Sequence, residues 1–466
     1  MSPHQRVSRR SKSAVQGAFL GFLLDNFDIY LPLVPLAPAL IYFTPATLNA
    51  ETVGLITSWI FVSTLIGRPL GALIFGSLAD VIGRRRSTLI AVAGFGVATL
   101  AMAALPGYQQ WGIGSVVALI VLRFFGGIAL GGEYSGANVL AMEESPRNRR
   151  GLFGGLVQSG GTVAYVLLTA LTLLLLAVIP GGSANSPYVQ WGWRIPFVLG
   201  GLLAFAFLFY YARNVKESSV WEKAAVVKIS AFTLLRGAAL RGFLQVFVMM
   251  TGMWLLLNSV TALIPPVLTK RLLLSSSSAT FIVMVLFAVL TVVYIGGGAL
   301  SQRIGRRTYL IGAAILALVL GIPCYWFLIN MTTPTVWQAL IPAVVAGAFL
   351  VAPWAVVTSY LAERFKTANR AVGFGLGYSL AVVIPSFYAT YQLWFRSIVP
   401  AQYTVLVLVG IGGLLTIIGA ALGPETRGVD FQASIQEQVP ADDLRPAPAA
   451  APRLAKRRSI THVAKG

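Results

Sequence analysis

Charge is scarce in this chain. Only 11% of its residues are charged, against about 25% in a soluble domain. Hydrophobic residues make up 57%, and the mean hydropathy is +0.78. That balance excludes a soluble globular protein, because it supplies far more apolar mass than one core needs. Cysteine is nearly missing too. The single Cys324 rules out an intrachain disulfide and reads as a small apolar filler. The two histidines, His4 and His462, lie in the tails. A histidine relay inside the membrane is therefore excluded, as is a His-ligated metal core. A proton carried through the middle has to ride mainly on carboxylates. No metal and no cofactor are expected. No intramembrane histidine or cysteine set supplies the nucleophile and base of an enzyme.

Long apolar runs are what the chain has instead. A helix needs about 20 apolar residues to cross the hydrocarbon, and about a dozen stretches qualify. They are 14–42, 52–80, 87–105, 113–143, 151–180, 192–213, 240–269, 278–302, 308–330, 335–364, 370–397 and 402–422. The first follows a basic N-terminus (Arg6, Arg9, Arg10, Lys12). It is too long for a signal peptide and contains Asp25 and Asp28, so it reads as a retained helix. Several runs exceed the minimal span, so tilt or kinks are expected, with Pro69, Pro265, Pro266, Pro353 and Pro385 as the kink sites.

The net charge of +20 falls at the ends of these runs, which points to orientation in a membrane rather than to nucleic acid. One set of connections holds Arg84 to Arg86, Arg147, Arg149 and Arg150, then Lys216 to Arg236, Arg303 to Arg307, and Arg364 to Arg370. Alternate connections are poor in cations. With an even helix count, the basic connections and both basic termini share one side, expected to be the cytoplasm of an inner-membrane protein.

The chain also repeats itself. "GSLADVIGRRR" (76–86) returns as "GALSQRIGRRT" (298–308), and Glu143 and Arg150 return as Glu363 and Arg370 at nearly the same offset. Two six-helix halves in parallel repeat make an all-α membrane protein of the major facilitator fold. The expected organisation is a tail over 1–13, a bundle over 14–213, a basic cytoplasmic linker over 214–239 with Trp221 at the membrane surface, and a second bundle over 240–423. The basic, Pro/Ala-rich tail over 424–466 is expected to be disordered and loosely attracted to anionic lipid.

Intramembrane charges are rare and usually functional. The set is short: Asp25, Asp28, Arg68, Arg123 and Glu133, all in the first half. At 1.5 Å per residue the two aspartates lie roughly 17–21 Å from the start of their helix. Arg123 lies about 15 Å from the outer end of the fourth helix, and Arg68 about 18 Å from the inner end of the second. These four are expected to meet near the midplane, with Glu133 about 15 Å further inward than Arg123. Asp25 and Asp28 share a helix face. Two carboxylates so close in a dry site cannot both ionise cheaply, so one is expected to pair with an arginine and the other to carry an exchangeable proton. A static salt bridge fixing two helices is the plainer reading, but it needs one aspartate rather than two. Arg68 and Arg123 have forks suited to a substrate carboxylate. Each has an ordinary alternative: Arg68 as a snorkelling helix-end residue, Arg123 as a structural partner of an aspartate. Glu133 reads equally as a second proton site or as an interhelical hydrogen bond.

The second half offers no central carboxylate. Asn258, Tyr360, Tyr378, Tyr388 and Gln392, with Trp254 and Trp354, are its candidates for the substrate's other face, although ordinary packing explains any one of them alone. Asp80, Arg84 and Arg85 lie at a helix end and loop, where they can pair with Glu143, with Arg150 nearby. They are expected to form a latch that breaks when that side opens.

"GSLADVIGRRR", with its repeat, resembles the major facilitator signature between helices 2 and 3. "DNFD" (25–28), "GRPLGALIFGSLAD" (67–80), "RFFGGIALGGEYSGA" (123–137) and "GWRIPF" (192–197) resemble the metabolite:proton symporters, which include citrate, 2-oxoglutarate, shikimate and betaine permeases. "PETRG" (424–428) closes the twelfth helix as it does there and in sugar porters. The resemblance implies that Asp25 and Asp28 fill the acidic places of the first helix. It implies that Arg68 matches an arginine associated with substrate anions, and that Arg123 and Glu133 match the helix 4 pattern. Asn26 and Phe27 stand where the family more often has a Trp-Tyr pair. The implied function is proton-coupled uptake of a small organic anion or zwitterion by a monomer. Its rivals are a sugar porter and a proton-driven drug exporter of the same fold. The fifth helix reads "GGLVQSGGTVAY", without the proline that exporters often carry there.

Overall fold

The computed structural model describes residues 8–45, 47, 48, 50–218, 237–366 and 370–431. The linker's Trp221 and the tail beyond 431 lie outside them, as do the side chain of Asp80 and both histidines. Helices make up the fold, and no strand occurs among the described residues. We number the twelve long helices in chain order: α1 Arg9–Tyr30, α2 Ala50–Ile82, α3 Arg84–Ala103, α4 Ile113–Glu143, α5 Arg150–Val178, α6 Arg194–Asn214, α7 Ala239–Arg271, α8 Ser276–Ile304, α9 Arg306–Asn330, α10 Val336–Arg364, α11 Arg370–Phe395 and α12 Thr404–Leu422. Among the described residues, eleven of these helices are long and apolar enough to cross a membrane. The exception is α1, whose apolar run is interrupted by Asp25, Asn26 and Asp28.

The run expected over 14–42 is two elements. Helix α1 stops at Tyr30, and a 3-10 helix follows at Ala37–Tyr42. Pro32, Pro35 and Pro38 crowd the interval, and each removes a backbone donor that a continuing helix needs. The other expected kink sites divide. Pro69 sits inside an unbroken α2. Pro265 and Pro266 precede a π turn at Val267–Arg271, Pro353 lies in a 3-10 turn at Ala352–Val356, and Pro385 lies in a short helix after a 3-10 turn at Leu380–Val382.

The sequence repeat is visible in the backbone. Gly83 and Gly305 open α3 and α9 with φ of +105° and +102°. Both are left-handed positions that a side chain would strain, and each is followed by a buried arginine, Arg84 or Arg306. Within the first half α2 packs on α4, α3 on α4 and α6, and α1 on α5; within the second, α7 packs on α12. The halves meet mainly along α5–α8 and α2–α11. Large apolar side chains such as Val97, Phe125, Val292 and Ile341 point outward, as a lipid-facing belt requires.

The α2–α4 crossing brings backbones together, and this is what places Arg68 and Arg123 in one layer. A β-carbon at Gly71 would run into the Ile128 carbonyl oxygen. Gly71→Val is therefore expected to lower stability by about 3 kcal/mol or more, since overpacking against backbone cannot be relieved by a rotamer change. Gly296→Val, at a position with open space around it, is expected to be neutral. Thermal unfolding of the two purified variants checks this, and equal melting temperatures would contradict it.

Candidate transport site and latch

The four central charges meet as two ion pairs. Arg68 Nη2 lies 2.6 Å from Asp25 Oδ2, and Arg123 Nη1 lies 2.8 Å from Asp28 Oδ2. All four residues are buried. Arg68 does not snorkel from a helix end, and each aspartate has its own arginine, whereas a single pair with one arginine left over was expected.

The two pairs are not equivalent. Asp28 is saturated: its Oδ1 accepts from the Thr99 hydroxyl at 2.5 Å, and Arg123 also donates to the carbonyls of Asp28 (3.0 Å) and Ile29 (3.3 Å). Those carbonyls stand at the end of α1. Pro32 has no N–H to give the Asp28 carbonyl, which takes the Leu31 N–H at 3.2 Å instead, and Arg123 adds a second donor while placing positive charge at a helix C-terminus. Asp25 is different. Its Oδ1 has no hydrogen-bond partner, and neither do Nε and Nη1 of Arg68. The Asp28–Arg123 pair leaves only Arg123 Nε without a partner, whereas the Asp25–Arg68 pair leaves three buried atoms with bonding capacity to spare.

A cavity of about 30 Å³ lies between the halves, enough for a water or two and for nothing larger. Asn26, Tyr30 and Gln158 line it from the first half, and Trp254, Asn258, Trp354 and Tyr378 from the second. Gln158 accepts from Thr358 across the interface at 3.1 Å, and Asn258 donates to the Pro385 carbonyl at 3.1 Å. The indole N–H groups of Trp254 and Trp354 donate to the carbonyls of Tyr378 and Met253, both at 3.0 Å, which fixes the ring faces. The Arg68 guanidinium lies 5.6 Å from the Tyr378 ring centre and 5.9 Å from that of Tyr134, so Tyr378 is the wall between the Asp25–Arg68 pair and the cavity. Tyr388 and Gln392 are not brought to it: Tyr388 is directed to Ser58, and Gln392 donates to the Thr404 hydroxyl at 3.2 Å. Tyr360 instead accepts from Gln245 at 3.1 Å, away from the cavity. Asn26, Tyr30, Gln158 and Thr99 were not singled out for these roles, because a lone polar residue in an apolar helix carries no periodic signal.

The face that carries the termini is latched. Glu143 accepts from Arg370 Nη1 at 2.7 Å across the halves, pairs with Arg84 Nη2 at 3.6 Å, and accepts a short hydrogen bond from the Ser218 hydroxyl. Glu363 mirrors it, taking Arg306 Nε at 3.2 Å and the Thr426 hydroxyl at 2.9 Å. The segments after α6 and α12 repeat as well. Glu217 accepts from the backbone N–H of Arg84 (3.0 Å) and Arg85 (3.1 Å), and Glu425 from those of Arg306 (2.8 Å) and Arg307 (3.1 Å). Each carboxylate thus sits on a helix N-terminus, where the dipole favours it. Arg85 is tied within its own half, to the Ala212 carbonyl, rather than across the interface. Arg150 donates to the Val429 carbonyl at 2.6 Å, and the Phe431 ring lies between Arg150 and Arg370, 3.7 and 4.0 Å from their guanidinium carbons. The signal for Glu217 and Glu425 was present in the sequence: "ES" (217–218) and "ET" (425–426) each put a carboxylate beside a hydroxyl after the sixth helix of a half.

Comparison with known proteins agrees with this architecture. The family model described as Major Facilitator Superfamily matches residues 18–326. The chain is 30% identical over 383 residues to an alpha-ketoglutarate permease of Escherichia coli, covering 81% of this chain and 85% of that protein. It is 24% identical over 425 residues to a proline/betaine transporter of the same species, covering 87% and 82%. A solved proton:xylose symporter bound to 6-bromo-6-deoxy-D-glucose superposes with a TM-score of 0.69 at 19% identity, covering 93% of this chain and 99% of that one. The chain belongs to the Major Facilitator Superfamily, a multi-pass membrane transporter rather than an enzyme, and within that superfamily it resembles the metabolite:proton symporters.

Proposed function

We propose that this transporter is a proton-coupled symporter that imports a small organic anion or zwitterion by alternating access. The carrying observation is the Asp25–Arg68 pair, buried, under-bonded on both partners, and separated from the central cavity by Tyr378. A proton on Asp25 removes its negative charge and releases the Arg68 guanidinium. A substrate carboxylate then takes the place of the Asp25 carboxylate. The pair is neutral when empty and neutral again when it holds both a proton and an anion. With only one of them it carries a bare charge in a dry site, which costs several kcal/mol. Only the two neutral forms turn over cheaply, and that couples the fluxes. In this reading the Asp28–Arg123 pair is the fixed brace, and Asn258 and Tyr378 meet the rest of the substrate.

The remaining parts of the reading follow from charge and repeat. The termini face the cytoplasm of the inner membrane, the working unit is a monomer in lipid, and the halves span 14–213 and 240–423. Glu143, Arg84, Arg150 and Arg370 hold the cytoplasmic side shut. Reconstituted vesicles test the coupling. Asp25→Asn is expected to lower pH-gradient-driven accumulation of radiolabelled 2-oxoglutarate or glycine betaine by roughly tenfold or more while leaving counterflow intact. Wild-type accumulation by that variant would sink the reading.

A sugar or polyol is the second reading. Asn26, Gln158 and Asn258 offer neutral amides beside the faces of Trp254 and Trp354, which suits hydroxyl-rich ligands on apolar ring faces. A thermal shift with D-xylose and none with the organic acids or betaine would favour it.

A further inference from the structure

We infer that Glu133 is a proton relay between the Asp25–Arg68 pair and the face that carries the termini, with Tyr211 as the station after it; the inference rests on the symport reading above.

The observation is a polar column along one face of α1. Asp25, Gly21 and Gly17 follow at intervals of four residues, so they share a face and step toward the terminal side by about 6 Å each. The Glu133 carboxylate occupies the room that Gly21 leaves: a β-carbon there would run into Oε1, with the Phe207 ring 3.1 Å away. The Tyr211 ring occupies the room at Gly17, 3.0 Å from where a β-carbon would stand. The Tyr211 hydroxyl lies beside Thr88 of α3 and, like the Glu133 carboxyl, has no hydrogen-bond partner among the described residues; Thr88 donates to the Arg84 carbonyl at 2.9 Å. Arg84 pairs with Glu143 in the latch. Asp25, Glu133 and Tyr211 therefore stand at three successive levels between the midplane pair and the latch, and two glycines make the space for Glu133 and Tyr211.

Glu133 is fully buried, and neither of its oxygens has a hydrogen-bond partner among the described residues. The other buried carboxylates among the described residues of the first half are in ion pairs: Asp25 with Arg68, Asp28 with Arg123, and Glu143 with Arg84 and Arg370. An ionised carboxylate with no partner in such a place is not sustainable, so Glu133 holds a proton at rest. The charged and titratable groups that act on it are Asp25 from α1, Arg68 from α2, Tyr211 from α6 and Tyr378 from α11. The relay step balances. Glu133 gives its proton toward Tyr211 and on to water at the terminal face. The proton on Asp25 then passes to the vacated Glu133 oxygen, directly or through water. Asp25, again a carboxylate, re-pairs with Arg68. One proton enters the column, one leaves, and no electrons move.

A purely structural Glu133 would be replaced without loss by glutamine, which keeps shape and neutrality. Infrared difference spectra of the full protein in lipid bilayers, in H2O and D2O, test this without any substrate. The wild type is expected to show a protonated-carboxyl C=O band that shifts on deuteration. Glu133→Gln removes that band, Glu133→Asp retains one, and Tyr211→Phe slows its exchange. Spectra of Glu133→Gln identical to those of the wild type would overturn the inference.

In vesicles loaded with radiolabelled 2-oxoglutarate or glycine betaine, Glu133→Gln is expected to keep exchange at equal pH. It should lose roughly a hundredfold in gradient-driven uptake, the scale of a positioned proton donor. If Asp25→Asn leaves that uptake unchanged, the symport reading fails. If Asp25→Asn abolishes uptake and Glu133→Gln does not, only the relay fails.

Discussion

Replacing Arg123 with alanine is expected to abolish transport and to lower the stability of the solubilised protein by about 3–5 kcal/mol, the scale for one half of a buried ion pair left alone. The size follows from how much one guanidinium does. It neutralises Asp28 at 2.8 Å and also satisfies the carbonyls of Asp28 and Ile29. Pro32 cannot supply the Asp28 carbonyl with its usual donor. Alanine therefore strands a carboxylate and loosens the end of α1 in the same stroke. Adding Asp28→Asn to the variant is expected to recover most of the lost stability, because no bare charge remains, and none of the transport, because α1 stays unbraced. Denaturant unfolding followed by tryptophan fluorescence checks the stability, and uptake by reconstituted vesicles checks the transport. A single Arg123→Ala variant as stable as the wild type would show that the pair is not a brace.

The second large effect is expected at the latch. Glu143→Ala removes the acceptor shared by Arg370, Arg84 and Ser218. Losing a buried cross-half pair costs the latched form about 3–5 kcal/mol, and each 1.4 kcal/mol is roughly tenfold in a two-state equilibrium. The open form should therefore become the major one. Ser359 reports this well, being buried against Gly154 of the other half. In a Cys324→Ser, Ser359→Cys background, Glu143→Ala is expected to raise the maleimide labelling rate by roughly a hundredfold. Unchanged labelling would mean that the α5–α8 contact, rather than Glu143, holds the face shut.

Much of this was legible in the chain because lipid simplifies the problem. A helix that must fill the hydrocarbon announces itself by length, and the repeated "GRR" loops announce the two halves. The boundary that failed, at Tyr30, failed because apolar composition continues through Pro32, Pro35 and Pro38 while backbone donors do not. At the centre, rise per residue brought Asp25, Asp28, Arg68 and Arg123 to one depth. Depth carries no azimuth, so which arginine meets which aspartate became visible only in three dimensions. Thr99 and Gln158 were silent for the same reason: their importance lies in what faces them. Asn258 and Tyr378 reach the cavity, whereas Tyr388 and Gln392 lie beyond the break near Pro385, and helical spacing does not carry across such a break.

The charge is distributed unevenly between the halves. Among the described residues, the buried ion pairs at the midplane belong to the first six helices, and the last six contribute amides and aromatic rings to the cavity. On the symport reading, energy conversion and the second half of the recognition surface are written on separate stretches of the gene. If that reading holds, joining the first six helices to the last six of a related carrier would graft a new palate onto an unchanged motor.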